Sequence, residues 1–168
     1  MATFHVAAHP GASTPAVSRR MASVPRKDNP RERALRSALH ARGLRFRVGH
    51  KVPGLPRRTM DVAFTRARVA VFLDGCFWHG CPDHGTQPQA NGAWWSEKLA
   101  TNMARDADTD AHLKDLGWEV VRIWEHVPLE EAVDVVANAV ASRRIAQGRR
   151  DAERSDTPSP RSEPGSGG

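Results

Sequence analysis

Hydrophobic residues recur with the spacing of an α-helix in three segments of the chain, at about 29–43, 94–116 and 129–145. Asn29, followed by proline, gives the first segment a helix start, and Gly43 gives it an end. The residues expected to face the protein core are Leu35, Ala38 and Leu39 in the first helix, Leu99, Met103, Leu113 and Leu116 in the second, and Ala132, Val133, Val136 and Val140 in the third.

Between the first and second predicted helices the pattern changes to the alternation and the short apolar runs of β-strands. Residues 46–48 alternate between apolar and basic and predict a half-buried strand, and the segment 51–59, with its proline and glycine residues, predicts a loop. Residues 60–64 and 68–73 predict two further strands joined by a tight turn, and residues 118–124 predict a fourth, buried strand.

The predicted order is therefore helix, three strands, helix, strand, helix. A strand, a long crossover helix and a second strand imply one parallel pair, which would lie beside an antiparallel hairpin. We therefore predict an α/β domain over residues 21–146, with a mixed β-sheet flanked by helices. The segments 1–20 and 147–168 carry Pro, Gly, Ser and Arg without periodicity, and we expect a disordered arm and a disordered tail there.

The charge of the chain indicates what kind of partner it binds. Its 168 residues carry a net charge of +6, which indicates an anionic partner such as nucleic acid, although an arginine-rich solubilising surface would give the same value. No apolar run approaches the ~18 residues of a membrane span, and the N-terminus has no apolar signal core. We therefore expect a cytoplasmic protein, associated with the nucleoid, whose two cysteines are ligands and not a disulfide.

The segment 75–84, Gly-Cys-Phe-Trp-His-Gly-Cys-Pro-Asp-His, contains both cysteines of the chain. Cys76, Cys81 and His84 are three donors of the kinds that Zn²⁺ prefers. His126 directly follows the fourth predicted strand, and it becomes a fourth donor if that strand lies beside the third. Four protein ligands would make a closed, structural zinc site. Two unrelated buried thiols are the alternative.

Three polar residues are candidates for catalysis. Asp61 lies in a predicted strand whose alternation puts its neighbours Met60 and Val62 on the opposite face. A carboxylate there is either a Mg²⁺ ligand or a solvent-facing group on an edge strand. His79, between the two cysteines, is the candidate general base, and Asp106 on the second helix could orient it.

Two pairs of adjacent aromatic residues accompany these groups. Phe77 and Trp78 cannot both point the same way, so at least one is expected to reach outward, where it could stack on a base, although both could also belong to the core. Trp94 and Trp95, at the start of the second helix, raise the same question.

The chain resembles the very short patch repair (Vsr) DNA mismatch endonucleases from about residue 21 to residue 140. The string Gly75-Cys76-Phe77-Trp78-His79 is the most specific part of the resemblance. The other matching motifs are Pro30-x-Glu32-x-x-Leu35, Met60-Asp61-Val62, Trp95-x-Glu97-Lys98, Asn102-x-x-Arg105-Asp106 and Ile123-Trp124-Glu125. The resemblance implies a restriction-endonuclease-like fold.

The resemblance also implies a function for several residues. By position, Asp61 and the backbone carbonyl of Leu73 would bind Mg²⁺, and His79 would activate the attacking water. Glu32 would support the metal site, and Asp106 would orient the histidine. The structural zinc would be bound by Cys76, Cys81, His84 and His126, while Phe77, Trp78 and Trp95 would enter the DNA. The chain departs from the best-known pattern at Leu73, where a hydroxyl residue is usual, and at Asp74, where histidine is usual.

The expected activity is Mg²⁺-dependent nicking of one DNA strand beside the T of a T:G mismatch, such as deamination of 5-methylcytosine produces. The expected partners are duplex DNA, mismatch-repair proteins and a cognate cytosine methyltransferase. Recognition contacts are expected in residues 51–59, in residues 86–92 and in the N-terminal arm. A monomer is expected, since one nick needs one active site. The alternatives are a restriction-like nuclease that cuts other duplex DNA and a zinc-stabilised DNA-binding module without catalysis.

Overall fold

The computed structural model describes residues 29–85 and 91–155, together with Phe4, Val6, Ala8 and Gly11. Its elements, in chain order, are α1 (Pro30–Ala41), β1 (Arg47–Val52), β2 (Leu55–Phe64), β3 (Val69–Asp74), α2 (Gly92–Asp115), β4 (Glu119–Trp124) and α3 (Leu129–Ser155). This is the order that the hydrophobic pattern predicts.

The strands form one sheet in the order β1-β2-β3-β4. The pairs β1–β2 and β2–β3 are antiparallel, and β3–β4 is parallel, with α2 as the crossover between them. The predicted α/β fold with a mixed sheet and flanking helices is therefore confirmed. Because β3 and β4 are parallel and Asp74 pairs with Trp124, the segments that follow the two strands begin side by side.

The hydrophobic core has two parts. The larger part joins the sheet to α1 and α3, and its members include Leu35, Leu39, Val62, Phe64, Val71, Ala132, Val133, Val136 and Val140. The inward faces predicted for the first and third helices are thus confirmed. The smaller part lies around Met60, Ala63, Phe72 and Leu113. Each fully buried Val, Leu, Phe or Met side chain stabilises the fold by roughly 1.5–3 kcal/mol relative to an exposed one.

The predicted inward face of the second helix is wrong in part. Leu113 is buried, but Met103 and Leu116 are 49% and 41% exposed. The buried residues of α2 are Trp95, Asn102, Thr109 and Leu113. Leu113 packs in the smaller hydrophobic core, whereas the middle of α2 covers a cluster of charged side chains, described below, so that half of its buried residues are polar.

Residues 51–59 form a hairpin and not the predicted loop. Strand β1 continues to Val52, and β2 begins at Leu55 after a two-residue turn in which Gly54 adopts φ +77°. The side chains of residues 56, 57 and 59 are exposed, so this part of the hairpin has no apolar alternation to indicate a strand. Val48 on β1 is also more exposed than predicted, at 52%, because β1 is an edge strand.

Asp61 marks an irregularity in β2. Val62 packs in the larger core and Met60 in the smaller one, so the prediction that they share a face is wrong. On β1, Gly49 lies opposite this position, between the partners of Val62 and Met60, and it adopts φ +58°. On the other side of β2, the pairing with β3 ends at Val62 and Val71. Asp61 therefore lies where the regular ladder stops.

Helix α3 is longer than predicted, since it continues to Ser155 and not to about residue 145. At about 1.5 Å per residue it spans roughly 40 Å. It starts just after β4, and Gln147 Nε2 donates to the Arg66 carbonyl, 3.0 Å away, in the turn between β2 and β3. The remainder of the predicted tail and most of the predicted arm lie outside the described residues. Among the described residues, no helix is long and apolar enough to cross a bilayer.

Candidate active site

The candidate site lies where β3 and β4 end. The segment 75–85 directly follows β3 in the chain, and Glu125 and His126 directly follow β4. The Glu125 N–H donates to the Asp74 carbonyl at 2.9 Å, and the Glu125 Oε1 accepts from the Cys76 N–H at 3.0 Å. These bonds tie the start of the cysteine-containing segment to the end of β4.

Asp61 is half-buried on an interior strand, so the alternative of an exposed Asp on an edge strand is wrong. Its Oδ2 accepts from the Leu73 N–H at 2.8 Å. Burial raises the pKa of Asp61 to about 6, against the lowering effect of this hydrogen bond, and the negative charges of Glu32 and Asp74 raise it further. Since the N–H and C=O of a strand residue point to the same side, the Leu73 carbonyl also faces the Asp61 side.

Glu32 is held at the start of α1 by the predicted cap. The Asn29 side chain accepts from the Glu32 N–H at 2.8 Å, and the Asn29 Nδ2 donates to the Glu32 Oε1 at 3.0 Å. This reciprocal pair fixes the glutamate close enough to Asp61 for its charge to affect the pKa of that group.

His79 is the centre of a second group. Its Nδ1 lies 2.6 Å from the Asp106 Oδ2 and 3.6 Å from the Asp74 Oδ1. Burial lowers the pKa of His79, but the hydrogen bond to Asp106 and the charges of Asp74 and Asp106 outweigh it, so the pKa is raised overall. For Asp106, burial raises the pKa, but the His79 hydrogen bond and the charge of Arg122 lower it further than burial raises it. With Nδ1 engaged, Nε2 is the ring nitrogen that remains for a proton from water.

Arg122 on β4 is a residue that the sequence analysis missed. Its Nη1 donates to both carboxylate oxygens of Asp74 at 2.9 and 2.8 Å, and its Nε and Nη2 donate to Asp110 at 3.0 and 2.9 Å. Asp106 lies 3.6 Å from Nη2, and the guanidinium carbon lies 4.8 Å from the centroid of the Phe72 ring. The signal was available, because Arg122 is a charged residue inside an apolar strand, like Asp61.

The aromatic residues form one cluster beside the site. The ring centroids of Phe77 and Trp95 are 5.2 Å apart, those of Trp78 and Trp95 are 5.7 Å apart, and those of Trp94 and Trp95 are 4.9 Å apart. Trp78 is 40% exposed, as expected of at least one member, while Trp95 is only 7% exposed. The Asn102 Nδ2 donates to the Trp78 carbonyl at 3.2 Å and so fixes its backbone. Of the three residues expected to enter DNA, Trp78 is thus exposed, Phe77 is half-buried and Trp95 is buried.

Cys76, Cys81, His84 and His126 converge at the end of β4. Their ligand atoms all lie within 4.8 Å of one another, so the alternative of two unrelated thiols does not fit. His126 Nδ1 lies 3.1 Å from the Cys76 Sγ and 3.7 Å from the Cys81 Sγ. Sulfur and nitrogen ligands of one tetrahedral zinc are roughly 3.3–3.8 Å apart, so the donor set and its spacing suit Zn²⁺.

Both cysteines are buried free thiols. Burial raises the pKa of Cys76 to about 11, and the adjacent Cys81 sulfur raises it as well. Zinc binds thiolates, so a bound cation would offset this cost of bringing two sulfurs together. The role of the four residues as zinc ligands remains a prediction.

Comparison with known proteins identifies a family that this chain matches. A family model described as DNA mismatch endonuclease Vsr matches residues 13–84. The type II nicking enzyme V.NaeI of Lentzea aerocolonigenes is 44% identical over 129 residues, which are 73% of this chain and 75% of the relative. The type II nicking enzyme V.XorIIP of Xanthomonas oryzae pv. oryzae is 39% identical over 110 residues, 62% of this chain and 76% of the relative. The DNA mismatch endonuclease Vsr of Escherichia coli (strain K12) is 34% identical over 110 residues, 64% of this chain and 68% of the relative.

Proposed function

This chain belongs to the Vsr family of DNA endonucleases, and we propose that it nicks one strand of duplex DNA next to the T of a T:G mismatch. The observation that supports the proposal most directly is the proximity of Asp61, the His79–Asp106 pair and the exposed Trp78 at one end of the sheet. A hydrolytic centre beside an exposed aromatic residue suits a duplex that is already locally weakened. We expect the protein to act as a monomer, and mismatch-repair proteins and a cytosine methyltransferase are its expected partners.

Asp61 and the Leu73 carbonyl offer hard oxygen ligands of the kind that Mg²⁺ prefers. The raised pKa of Asp61 supports this role, because a carboxylate that is buried beside other negative groups gains from a bound cation. When bound, Mg²⁺ would neutralise the charge that develops on the scissile phosphate. Glu32 would add negative charge behind the site from the capped start of α1.

His79 would take the proton of the attacking water at Nε2. Asp106 holds Nδ1 at 2.6 Å, which fixes the orientation of the ring and stabilises the imidazolium that forms. The 3.6 Å approach of Asp74 adds a second negative charge on the same side of the ring. Both contacts raise the basicity of His79 and leave its other nitrogen for the water.

Trp78 would enter the base stack beside the mismatch. Unstacking a base step costs a few kcal/mol and costs least where pairing is already impaired, so the wedge favours a mismatch over a matched duplex. Phe77 and Trp95 support Trp78 in the free protein. Trp95 would itself have to become exposed before it could enter the duplex, because it is buried here.

The four Cys and His ligands would bind zinc without an open position, which makes the metal structural. It would fasten the segment that carries Phe77, Trp78 and His79 to the end of β4. The zinc site would therefore set the position of the general base relative to Asp61.

A strand-resolved cleavage assay tests this function. Labelled duplexes that carry T:G, T:A or C:G at one position are incubated with Mg²⁺ and with wild type, Asp61→Asn or Asp134→Asn. Asp134 is a matched control, because it is an exposed carboxylate on α3 that pairs with Arg42. We expect a nick in the T strand of the T:G duplex alone, which Asp61→Asn abolishes and Asp134→Asn retains.

Two other outcomes would contradict the proposal. Equal cutting of all three duplexes would indicate a restriction-like nuclease. Tight binding without cutting in any sequence context would indicate a zinc-stabilised DNA-binding module.

A further inference from the structure

Arg122 connects three elements of the candidate site. The side chain starts on β4, its Nη1 binds Asp74 at the end of β3, and its Nε and Nη2 bind Asp110 on α2. The guanidinium fork therefore bridges the sheet and the helix that carries Asp106. Arginine is suited to this role, because its donors have a fixed planar geometry and its charge is permanent.

We propose that Arg122 is a positioning residue of the nicking reaction, which holds Asp106 against His79 by fixing α2 to the ends of β3 and β4. This inference rests on the proposed function, since it assigns Arg122 to the same hydrolytic centre. The hydrogen bonds and ion pairs that the structure describes for Arg122 go to Asp74, Asp106 and Asp110, and not to His79 or the expected metal ligands. Arg122 acts through the carboxylates that surround the histidine.

The helix geometry supports the connection to Asp106. Asp106 and Asp110 are four residues apart on α2 and therefore lie on the same helical face. The bidentate contact to Asp110 fixes the turn of helix that presents Asp106, whose Oδ1 lies 3.6 Å from Arg122 Nη2. A shift of α2 would change the 2.6 Å contact between Asp106 and His79 directly.

The charges support it independently. Asp74, Asp106 and Asp110 surround one guanidinium, and Asp74 is only 3% exposed. Without Arg122 the three carboxylates would repel one another in a partly buried region, which favours movement of α2 away from the sheet. Asp74, with both oxygens on Nη1, serves in this arrangement as the counter-ion of Arg122 and not as an additional metal ligand.

The test compares Arg122→Gln and Arg122→Lys with wild type on whichever duplex the wild type nicks. We expect Arg122→Gln to lower kcat about 10²-fold with KM and DNA affinity unchanged, since small displacements of catalytic groups have effects of this size. Arg122→Lys is expected to recover part of the loss, because lysine keeps the charge but not the fork. Arg143→Gln is the matched control: Arg143 has the same exposure as Arg122, 22% against 21%, and binds Glu119 and the Ala67 carbonyl at the opposite end of the sheet.

A second readout does not depend on activity. The proton between His79 Nδ1 and Asp106 is expected as a downfield NMR resonance in wild type and in Arg143→Gln, and it should broaden or disappear in Arg122→Gln. Should Arg122→Gln fail to fold, two other variants test the same contact: Arg122→Lys, and Asp110→Asn, which removes the negative charge of Asp110 and one of its two acceptor oxygens. If the wild type nicks no duplex, the proposed function fails, while the resonance still decides the role of Arg122. Unchanged kcat and an unchanged resonance in the folded Arg122 variants would overturn the proposal.

Discussion

Replacement of His126 should destabilise the protein far more than replacement of His84, although both are expected ligands of one zinc ion. Cys76 and His126 are 50 positions apart, so a metal that joins them closes a loop of that length. In the chain-entropy description this closure removes about 14 cal/mol/K from the unfolded chain, or about 4 kcal/mol at room temperature. Cys81 and His84 are only 3 positions apart. With Cys81 already bound to the metal, His84 closes only this short additional loop, and its loss should therefore cost little stability.

The assay is equilibrium unfolding in urea with zinc present, together with the zinc content of each variant. We expect His126→Ala to lose about 4 kcal/mol of unfolding free energy and His84→Ala about 1 kcal/mol or less, with one zinc per wild-type chain. Equal losses in the two variants would refute the argument that the metal stabilises by joining β4 to the segment 75–85. Wild-type protein that purifies without zinc would refute the metal site itself.

Two further predictions concern the catalytic end of the sheet. Asp61→Asn should stabilise the magnesium-free protein by about 1–3 kcal/mol above pH 6. The pKa of Asp61 in the folded protein is about 6, above its ordinary value of 3.8, so ionisation of Asp61 penalises the folded state. The gain should vanish below about pH 4, and thermal melting across this range checks it; a gain that is constant with pH would contradict the cause. Trp78→Ala should lower kcat/KM on the mismatched duplex about 5–150-fold, since stacking on a base is worth about 1–3 kcal/mol. An equal loss in Trp94→Ala would show that the effect is not specific to the exposed ring.

The parts of the fold that depend on burial could be predicted from the sequence. Leu35, Leu39, Val136 and Val140 are buried as their spacing indicates, because α1 and α3 cover an apolar sheet face. The convergence of His126 with the cysteines followed from the parallel pairing of two strands. Periodicity failed for α2, where Asn102 and Thr109 are buried beside charged groups. It also failed for residues 51–59, whose side chains have no apolar alternation.

The charged network of the site was harder to predict from the sequence. Asp61, His79 and Asp106 were identified as single residues of unusual type or position. Arg122 was overlooked, although it is a charged residue inside an apolar strand as Asp61 is. Its pairing with Asp110 joins β4 to the preceding helix over 12 positions, and no local pattern indicates that contact. The departure at Asp74 becomes interpretable only with Arg122, since the carboxylate and its partner come from different strands.

The length and direction of α3 have a practical consequence for protein fusions. The helix begins just after β4, beside the candidate site, and its later turns reach Arg66 at the far end of the sheet. Any sequence attached after Ser155 therefore starts roughly 40 Å from the catalytic end. Asn29, in contrast, caps α1 next to Glu32 and lies at that end. A label, an affinity tag or a surface tether should consequently be placed behind α3, where it leaves the approach of the DNA open.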